Sequence, residues 1–370
     1  MNRGKKHIKV IISGGGTGGH IFPALAIANE IKNRFPDADI LFVGAKGRME
    51  MEKIPANGYQ VEGLWISGIN RKKLWKNITF PFKLLFSILK ARKIIRKFKP
   101  DFVVGTGGFA SGPVLYVAQK NAIPTFIQEQ NSYPGITNKL LAKKADRIYT
   151  AYDNLDRFFD AGKIVKTGNP VRKELHRLSD DKINALQNFA LYPGKKTILS
   201  IGGSLGAHPV NEAIKSIVNQ IKAHDYQLIW QTGKNDFENY DVYGSKFIKV
   251  LPFIANMKDA YAAADLIISR AGAGTISELS IVGKPVILVP SPYVAEDHQS
   301  KNAQALVEKN AAIMIQENQL KSDLWKNIQS VFSDPELSEQ LCRNIKKIAM
   351  PDATKLIVDD ILSYIKRKRK

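Results

Sequence analysis

The chain has 370 residues, a hydrophobic fraction of 44%, a formal net charge of +21 and one cysteine, Cys342. This length exceeds the usual limit of a single hydrophobic core, which predicts two domains. A lone cysteine excludes an internal disulfide, the histidines lack zinc-type spacing, and there is neither a signal-peptide pattern nor a run of 18 apolar residues. We therefore expect a cytoplasmic protein without a structural metal.

The first half of the chain alternates short apolar runs with helical patterns. Strands are predicted over residues 8–13, 40–44, 102–106, 125–128 and 147–150, and helices over 23–34, 113–120 and 136–142. The turn after the first strand contains five glycines between Gly14 and Gly19, followed by His20. Because unpaired N–H groups at the start of a helix attract anions, this turn predicts a phosphate site.

Part of this first turn also fits the dinucleotide pattern G-x-G-x-x-G, through Gly14, Gly16 and Gly19. A nicotinamide or flavin site needs an acidic residue at the end of the second strand to bind the ribose. Residues 42–48 contain none. The sequence therefore disfavours an oxidoreductase.

Residues 71–99 contain 11 basic residues and no acidic ones, interleaved with bulky apolar residues. Pro81 is predicted to break this segment ahead of a helix over 82–98 that has an apolar and a basic face. Such a segment suits an anionic membrane surface. The alternatives are a helix buried on its apolar side, or a nucleic-acid site, which the alternation of aromatic and aliphatic residues disfavours. The candidate membrane contacts are Trp75, Phe82 and Phe86.

The second half repeats the alternation. Strands are predicted over residues 197–201, 227–231, 247–250, 266–269 and 286–289, and helices over 210–222, 257–264, 275–282 and 299–309. A second glycine turn, from Gly202 to Gly206, follows the first of these strands. The repetition predicts two doubly wound parallel sheets, linked near residues 168–170, whose glycine turns share a phosphorylated ligand.

Small and polar residues cluster at further points of the chain. They lie at strand ends at 105–113 and 128–131 (Gln-Glu-Gln-Asn), at the crossover at 168–172, and at helix starts at 269–278 and 296–302. Ligands of open α/β sheets bind at the carboxyl ends of the strands, so these clusters are candidate site residues.

Together these motifs, in this order over almost the whole chain, resemble the MurG family of glycosyltransferase family 28, which forms lipid II in peptidoglycan synthesis. The resemblance implies a GT-B fold, an α/β fold in which two Rossmann-like domains with doubly wound parallel sheets face a central cleft. It implies an acceptor- and membrane-binding domain over residues 1–168, completed by a C-terminal helix at about 350–370. A UDP-GlcNAc-binding domain would occupy residues 169–349.

The same resemblance implies the reaction and its partners. GlcNAc would pass from UDP-GlcNAc to the MurNAc 4-hydroxyl of undecaprenyl-pyrophosphoryl-MurNAc-pentapeptide (lipid I), with inversion at the anomeric carbon. No cofactor is implied, and Mg²⁺ would at most stimulate the enzyme. The protein would bind peripherally to the anionic cytoplasmic face of the inner membrane, with other wall-synthesis proteins as further partners and no nucleic acid.

Individual residues acquire roles from the resemblance. The backbone of Ile254 would contact uracil, Glu278 would bind the ribose hydroxyls, and Gln299 would bind GlcNAc. The full donor set is Thr17, Gly18, Gly19, Asn131, Arg172, Ser204, Ile254, Ala273, Gly274, Thr275, Ile276, Ser277, Glu278 and Gln299. The acceptor set is Gly16, Gly107, Gly108, Phe109 and Gln128.

This reaction needs a base to accept the proton of the MurNAc 4-hydroxyl. His20 is the first candidate, because imidazole titrates near neutrality and this one follows the first glycine turn. The alternative is a histidine that orders the turn or contacts pyrophosphate. Glu129 is the second candidate, and its alternative role is that of a structural carboxylate bonded to neighbouring N–H groups.

Two residues depart from the family pattern. Gln128 stands where many members have His, and Phe109 where many have Tyr. Gln128 cannot act as a base, and Phe109 lacks a hydroxyl for the acceptor. We expect the reaction to be retained and the acceptor contacts to differ.

Three other functions remain open. Another GT-B transferase acting on a membrane lipid would share the fold, but the joint set of motifs disfavours it. A UDP-GlcNAc 2-epimerase needs no lipid surface, so the basic segment at 71–99 disfavours it. A nucleic-acid-binding protein would show steeply salt-dependent binding to DNA or RNA and no binding of UDP-GlcNAc.

Overall fold

The computed structural model describes residues 7–68, 74–171, 175, 181–203 and 206–368. The chain divides into two compact units. Unit 1 contains Met1–Val171 and Pro351–Lys370, and unit 2 contains Arg172–Met350.

Unit 1 is built on one parallel sheet. Its strands are β1 (Lys9–Gly14), β2 (Asp39–Ala45), β3 (Gln60–Leu64), β4 (Phe102–Gly107), β5 (Thr125–Glu129), β6 (Arg147–Thr150) and β7 (Ile164–Lys166). They lie in the order β3-β2-β1-β4-β5-β6-β7, which is doubly wound about β1, as predicted. The two strands that were not predicted, β3 and β7, are the short outer ones.

The first helices of unit 1 follow its strands closely. They are α1 (Gly18–Arg34), α2 (Glu50–Ala56), α3 (Phe80–Phe98), α4 (Ser111–Lys120) and α5 (Ile136–Ala142). Three predicted helix starts were too late, and one of them is that of α4, which begins at Ser111 and includes Pro113. Helix α1 begins five residues before Pro23 and includes it, and Pro81 lies in the first turn of α3, where a missing N–H costs no hydrogen bond.

The sheet of unit 1 is buried on both faces. Along β1, Ile11 packs into one apolar core with residues of α3 and α4, whereas Val10 and Ile12 pack into the other with α1. A parallel sheet covered on both faces requires strands that are apolar throughout. This requirement explains why the strand runs are easy to find in the sequence.

Unit 2 contains a second parallel sheet. Its strands are β8 (Thr197–Ile201), β9 (Gln227–Gln231), β10 (Ile248–Leu251), β11 (Leu266–Ser269), β12 (Val286–Leu288) and β13 (Ile313–Met314), in the order β10-β9-β8-β11-β12-β13. Its helices are α6 (Lys182–Asn188), α7 (His208–Ser216), α8 (Val218–Ala223), α9 (Met257–Ala263), α10 (Ala273–Val282), α11 (His298–Val307), α12 (Leu320–Ser333) and α13 (Pro335–Lys347).

One predicted helix of unit 2, over residues 210–222, is interrupted. The helix is interrupted at Ile217, whose N–H donates to the carbonyl of Ile214 at 3.1 Å, three residues back. The Ser216 hydroxyl donates to the carbonyl of Ala213 at 2.7 Å. This tightened turn separates α7 from α8.

The last helix, α14 (Ala353–Lys368), returns to unit 1. Its residues Ile357, Val358 and Ile361 are fully buried in the core that contains Val10 and Ile12. The Tyr149 hydroxyl donates to Asp360 at 2.9 Å, which ties α14 to β6. Within the described residues, no helix is long and apolar enough to cross a membrane.

A buried lysine of unit 2 makes stability depend on pH. The Lys284 ammonium donates to the carbonyls of Ala262 and Ala264, and burial lowers its pKa to about 8, although Asp265 opposes this. The unfolded chain keeps this proton up to a pKa of 10.5, so between these values it binds more protons than the folded chain. Stability from this group therefore rises with pH over that window.

We expect the Lys284→Met variant to lack this rise. Between about pH 7.5 and about pH 9.5, wild type should gain roughly 2 kcal/mol of unfolding free energy relative to the variant, at 1.36 kcal/mol per pKa unit. Urea unfolding at the two pH values measures the difference. Parallel pH dependences in the two proteins would contradict it.

Candidate active site

A buried carboxylate, that of Glu50, shapes the first glycine turn. Its side chain is 1% exposed and accepts hydrogen bonds from the N–H of Gly16 at 3.0 Å and of Ala45 at 2.9 Å. A Cβ on Gly15 would lie 2.1 Å from its Oε1, so the turn needs glycine there. Glu50 was not among the predicted site residues, because it reaches the end of β2 from the first turn of α2.

This turn leads directly into α1. Thr17 is the N-cap residue and makes no side-chain capping bond, and Gly18 and Gly19 are the first helical residues. Such an end leaves backbone N–H groups without helical partners and carries a positive partial charge. The N–H of Gly16, in contrast, is already bonded to Glu50 and is not available to an anion in this arrangement.

His20 lies against the end of β4. Its Nδ1 is 2.9 Å from the carbonyl oxygen of Thr106 and 2.9 Å from Oε1 of Gln130. A Cβ on Gly107, which has a φ of 96°, would lie 2.8 Å from the imidazole. Because both neighbours of Nδ1 are acceptors, Nδ1 carries the proton and Nε2 carries the lone pair, as a general base requires.

The structure brings the predicted acceptor residues of the first glycine turn close to those of the turn after β4. A Cβ on Gly108 would lie 2.3 Å from the carbonyl oxygen of Gly15, and one on Gly16 would lie 3.1 Å from the Phe109 ring. The Arg48 guanidinium lies 6.0 Å from the centre of that ring. The two turns therefore form one surface next to His20.

Glu129 is a buried carboxylate at the end of β5, 1% exposed. It accepts hydrogen bonds from the backbone N–H of Asn131 at 3.0 Å, the side-chain amide of Asn131 at 3.2 Å, the side-chain amide of Asn138 at 2.8 Å and the N–H of Gly135 at 3.3 Å. These bonds order the loop that carries Asn131. They favour the structural alternative for Glu129 over the catalytic one.

Gln128 differs from its predicted placement on the acceptor side. Its side chain is fully buried, and its amide donates to Oδ1 of Asn169 at 2.8 Å. Two residues further on, Gln130 is 2% exposed and contacts both Gln128 and His20. Gln128 therefore lies behind the site surface. Successive side chains of a strand point to opposite faces of the sheet, and Gln128 points into the interior of unit 1.

In unit 2, Gln231 joins two segments of the predicted donor site. Its amide donates to the carbonyl of Gly203 at 2.7 Å, and its Oε1 accepts from the N–H of Ile254 at 3.1 Å. Gly206, with a φ of 81°, lies so close to β9 that a Cβ would be 2.0 Å from the carbonyl oxygen of Thr232. Gln231 was not predicted, since nothing in its local sequence marks it.

The other donor residues of unit 2 begin with helix α10. Ala273, Gly274 and Thr275 form its first turn, and space is open around Gly274. One turn further on, Glu278 accepts a hydrogen bond from the hydroxyl of Tyr261 at 3.2 Å.

Of the predicted donor residues in α10, Ile276 has a buried side chain and Ser277 bonds back to its own helix. Ile276 is 3% exposed and lies in the core side of α10. The Ser277 hydroxyl donates to the carbonyl of Ala273 at 3.0 Å, one turn back in the same helix. Only the backbone of Ile276 is left for a ligand.

Gln299 follows a strained piece of backbone. Glu296 and Asp297 have successive left-handed φ values of 59° and 49° immediately before α11. The Gln299 Oε1 accepts from the N–H of Ser291 at 2.9 Å, which closes this loop on itself. Strain of this kind in non-glycine residues is concentrated at functional sites.

Some of the predicted residues lie outside the described ranges. Arg172 and Ser204 lie outside the described residues, as do residues 71–73 of the basic segment. Over the ranges that the structure describes, no group of three or more His, Cys, Asp or Glu side chains is arranged to hold a metal ion.

Two parallel-sheet units, each with a glycine turn between its first strand and the following helix, define the class of protein. The fold is GT-B, that of nucleotide-sugar glycosyltransferases. Residues 10–150 match the glycosyltransferase family 28 N-terminal domain, and residues 197–357 match the family 28 C-terminal domain. The chain belongs to glycosyltransferase family 28.

Relatives of known name match over their full length. The chain is 53% identical over 362 residues to the UDP-N-acetylglucosamine--N-acetylmuramyl-(pentapeptide) pyrophosphoryl-undecaprenol N-acetylglucosamine transferase of Flavobacterium psychrophilum, covering 98% of this chain and 99% of that protein. It is 52% identical over 364 residues to the protein of the same name from Christiangramia forsetii, covering 98% and 100%. The crystal structure of Acinetobacter baumannii MurG is 27% identical, with a TM-score of 0.78 over 96% of this chain and 99% of that one.

The Glu50 contacts generate a stability prediction. In Glu50→Gln, an amide NH₂ must face the N–H of either Gly16 or Ala45, so we expect a loss of about 1–3 kcal/mol of unfolding free energy. Glu52→Gln, an exposed change in the same helix, is the matched control and should cost less than about 0.5 kcal/mol. Urea unfolding of both variants gives the comparison. Equal stability would show that the Glu50 charge does not order the turn.

Proposed function

We propose that this protein transfers GlcNAc from UDP-GlcNAc to the MurNAc 4-hydroxyl of lipid I, which forms lipid II for peptidoglycan. The observation that carries this proposal is identity of more than half of all residues, from end to end, with relatives that bear the name of this activity. Both family 28 domains are present, the N-terminal domain over residues 10–150 and the C-terminal domain over residues 197–357. The transfer is proposed to invert the anomeric carbon, by direct attack of the acceptor hydroxyl.

The donor half of the proposal rests on unit 2. The first turn of α10 offers N–H groups and a positive helix end to the diphosphate, with open space at Gly274. Glu278 accepts from the ribose hydroxyls, and Tyr261 fixes its carboxylate for that purpose. A helix end of this kind stabilises departing UDP by preorganised dipoles. We therefore propose that transfer needs no metal ion, and that added Mg²⁺ at most stimulates it.

The acceptor half rests on unit 1. Gly107, Gly108 and Phe109 lie beside the first glycine turn, which presents the start of α1 to a pyrophosphate. His20 Nε2 accepts the proton of the MurNAc 4-hydroxyl while the oxygen forms its bond to the anomeric carbon. The bond from that carbon to UDP breaks in the same step, and UDP leaves with its electron pair.

A membrane-binding role for α3 is supported by its exposed side chains. Phe82 is 61% exposed and Phe86 53% exposed, and these two lie with Leu85 and Leu89 on one stripe of the helix. Trp75 is 66% exposed just before α3. The opposite face, with Ala91 and Ile94, is buried, so core packing accounts for one side of α3 only.

We propose that this stripe, with its neighbouring lysines and arginines, binds the anionic cytoplasmic face of the inner membrane peripherally. Apolar side chains enter the interface between headgroups and acyl chains, while cationic side chains contact lipid phosphates. The acceptor lipid would be reached at that surface. Other proteins of wall synthesis are proposed as further partners.

The activity is tested with purified protein, labelled UDP-GlcNAc and a short-chain lipid I analogue, in EDTA and in Mg²⁺. We expect transfer in both, and a rise of at least about tenfold in KM for UDP-GlcNAc in Glu278→Gln, because a charge-assisted hydrogen bond is worth about 1.5–3 kcal/mol. Glu336→Gln, an exposed change in α13, is the control. Binding of UDP-GlcNAc without transfer would contradict the proposed acceptor, and loss of activity in EDTA would contradict metal independence.

Membrane binding is tested by sedimentation with vesicles that contain phosphatidylglycerol. The double variant Phe82→Ser with Phe86→Ser should bind about 10- to 100-fold more weakly, because each buried aromatic ring contributes roughly 1.5–3 kcal/mol when fully inserted and less at an interface. Val242→Ser, which alters an apolar residue of unit 2 that is 78% exposed, should bind as wild type. Equal binding by all three proteins would show that α3 is not the membrane contact.

A further inference from the structure

Behind His20 lies a chain of buried amide side chains that the proposed reaction does not use. Gln130 is 2% exposed, Gln128 is fully buried and Asn169 is 1% exposed. They come from the end of β5 and from the segment after β7, and they meet beside the carbonyl of Thr106. Buried amide groups are nearly always hydrogen-bonded, so the partners of each amide show which end is the NH₂ and which is the oxygen.

The orientation of the Gln130 amide is determined by its surroundings. Its Nε2 lies 2.8 Å from the carbonyl oxygen of Thr106 and 2.9 Å from that of Gln128, so this end must be the donor. The Oε1 is left facing Nδ1 of His20 at 2.9 Å. A reversed amide would place an oxygen against two carbonyl oxygens and an NH₂ against His20.

The other two amides fix the same direction. Gln130 Nε2 also contacts Oε1 of Gln128, and the Gln128 amide in turn donates to Oδ1 of Asn169 at 2.8 Å. The Asn169 amide donates to the backbone carbonyl of Gln130 at 3.0 Å, which closes the circuit. Amides do not titrate in the physiological range, so the direction is independent of pH.

The charged side chain of Glu129 lies between Gln128 and Gln130 in the sequence, at the end of β5. Its oxygens are bonded on the other side, to the amides of Asn131 and Asn138. Alternation along the strand thus sends the two glutamines towards His20 and the carboxylate towards the loop. Among the described residues, the hydrogen-bond partners of Nδ1 are neutral acceptors, Gln130 and the Thr106 carbonyl.

We infer that Gln130 is a positioning residue, which together with the Thr106 carbonyl keeps His20 in the tautomer with the proton on Nδ1 and the lone pair on Nε2. Gln128 and Asn169 fix the direction of the Gln130 amide. This inference rests on the proposed role of His20 as the base. It also gives a function to Gln128, whose side-chain amide cannot itself act as a base.

The test combines imidazole ¹⁵N NMR of the full-length protein with kinetics of lipid II formation. His20→Gln assigns the signal. In wild type we expect the Nδ1-protonated tautomer. Gln130→Met leaves the Thr106 carbonyl as an acceptor of Nδ1, so we expect a mixture of tautomers and a fall in kcat of about 2-fold or more, in proportion to the Nδ1-protonated fraction that is lost, at nearly unchanged KM. In Gln130→Glu, a carboxylate next to Nδ1 stabilises the imidazolium, so the acid limb of the kcat/KM profile should move to higher pH.

Gln119→Met is the matched control. The Gln119 amide also donates to a backbone carbonyl, that of Leu141 at 3.0 Å, and to Thr125. It lies in α4 and does not contact His20, so its removal should lower stability without changing the tautomer or the pH profile. A tautomer ratio and pH profile in Gln130→Met equal to those of the control would overturn the inference.

The two proposals fail in different ways. A changed tautomer in Gln130→Met, together with an imidazolium in Gln130→Glu that persists to higher pH while the rate profile stays in place, would support the positioning role and exclude His20 as the base. An unchanged tautomer together with an unshifted imidazolium signal would overturn positioning by Gln130. If His20→Gln then also abolished transfer, the proposed role of His20 as the base would still be supported.

Discussion

Close approach of backbone to backbone at the carboxyl ends of β1 and β4 is the constraint on which the unit 1 site depends. The turn after β4 lies so near the turn after β1 that a single added carbon on Gly108 would overlap the carbonyl of Gly15. Gly107 similarly leaves room for the His20 imidazole. With any larger residue at these points, the helix start, the imidazole and the Phe109 ring would move apart, and with them the surface proposed to bind the acceptor.

The two units stabilise their glycine turns by different chemistry. In unit 1 a carboxylate, Glu50, accepts from the turn, whereas in unit 2 a neutral amide, Gln231, donates to one segment and accepts from another. Glu50 occupies the N–H of Gly16, so a pyrophosphate at this turn would use the N–H groups at the start of α1.

The repeating pattern of apolar strands and helices was sufficient to predict both sheets, because a parallel sheet covered on both faces must be apolar along its whole strands. The short edge strands β3, β7 and β13 were not predicted, because an edge strand needs fewer apolar residues than a central one. Residues such as Glu50, Gln231 and Tyr261 were not predictable, because their function lies in contacts with distant segments and their local sequence is ordinary. His20 is a candidate because it adjoins a motif, whereas its contact with Gln130, 110 residues away, leaves no mark in the local sequence.

Helix α14 places a constraint on how the chain matures. Its apolar residues Ile357, Val358 and Ile361 complete the core beneath β1, yet they are synthesised after all of unit 2. On the ribosome, unit 2 can bury its own core as soon as its strands and helices have emerged. Unit 1, although made first, must wait with one face of its sheet incompletely covered until residues 353–368 arrive. The first domain in the sequence is therefore the last to be finished.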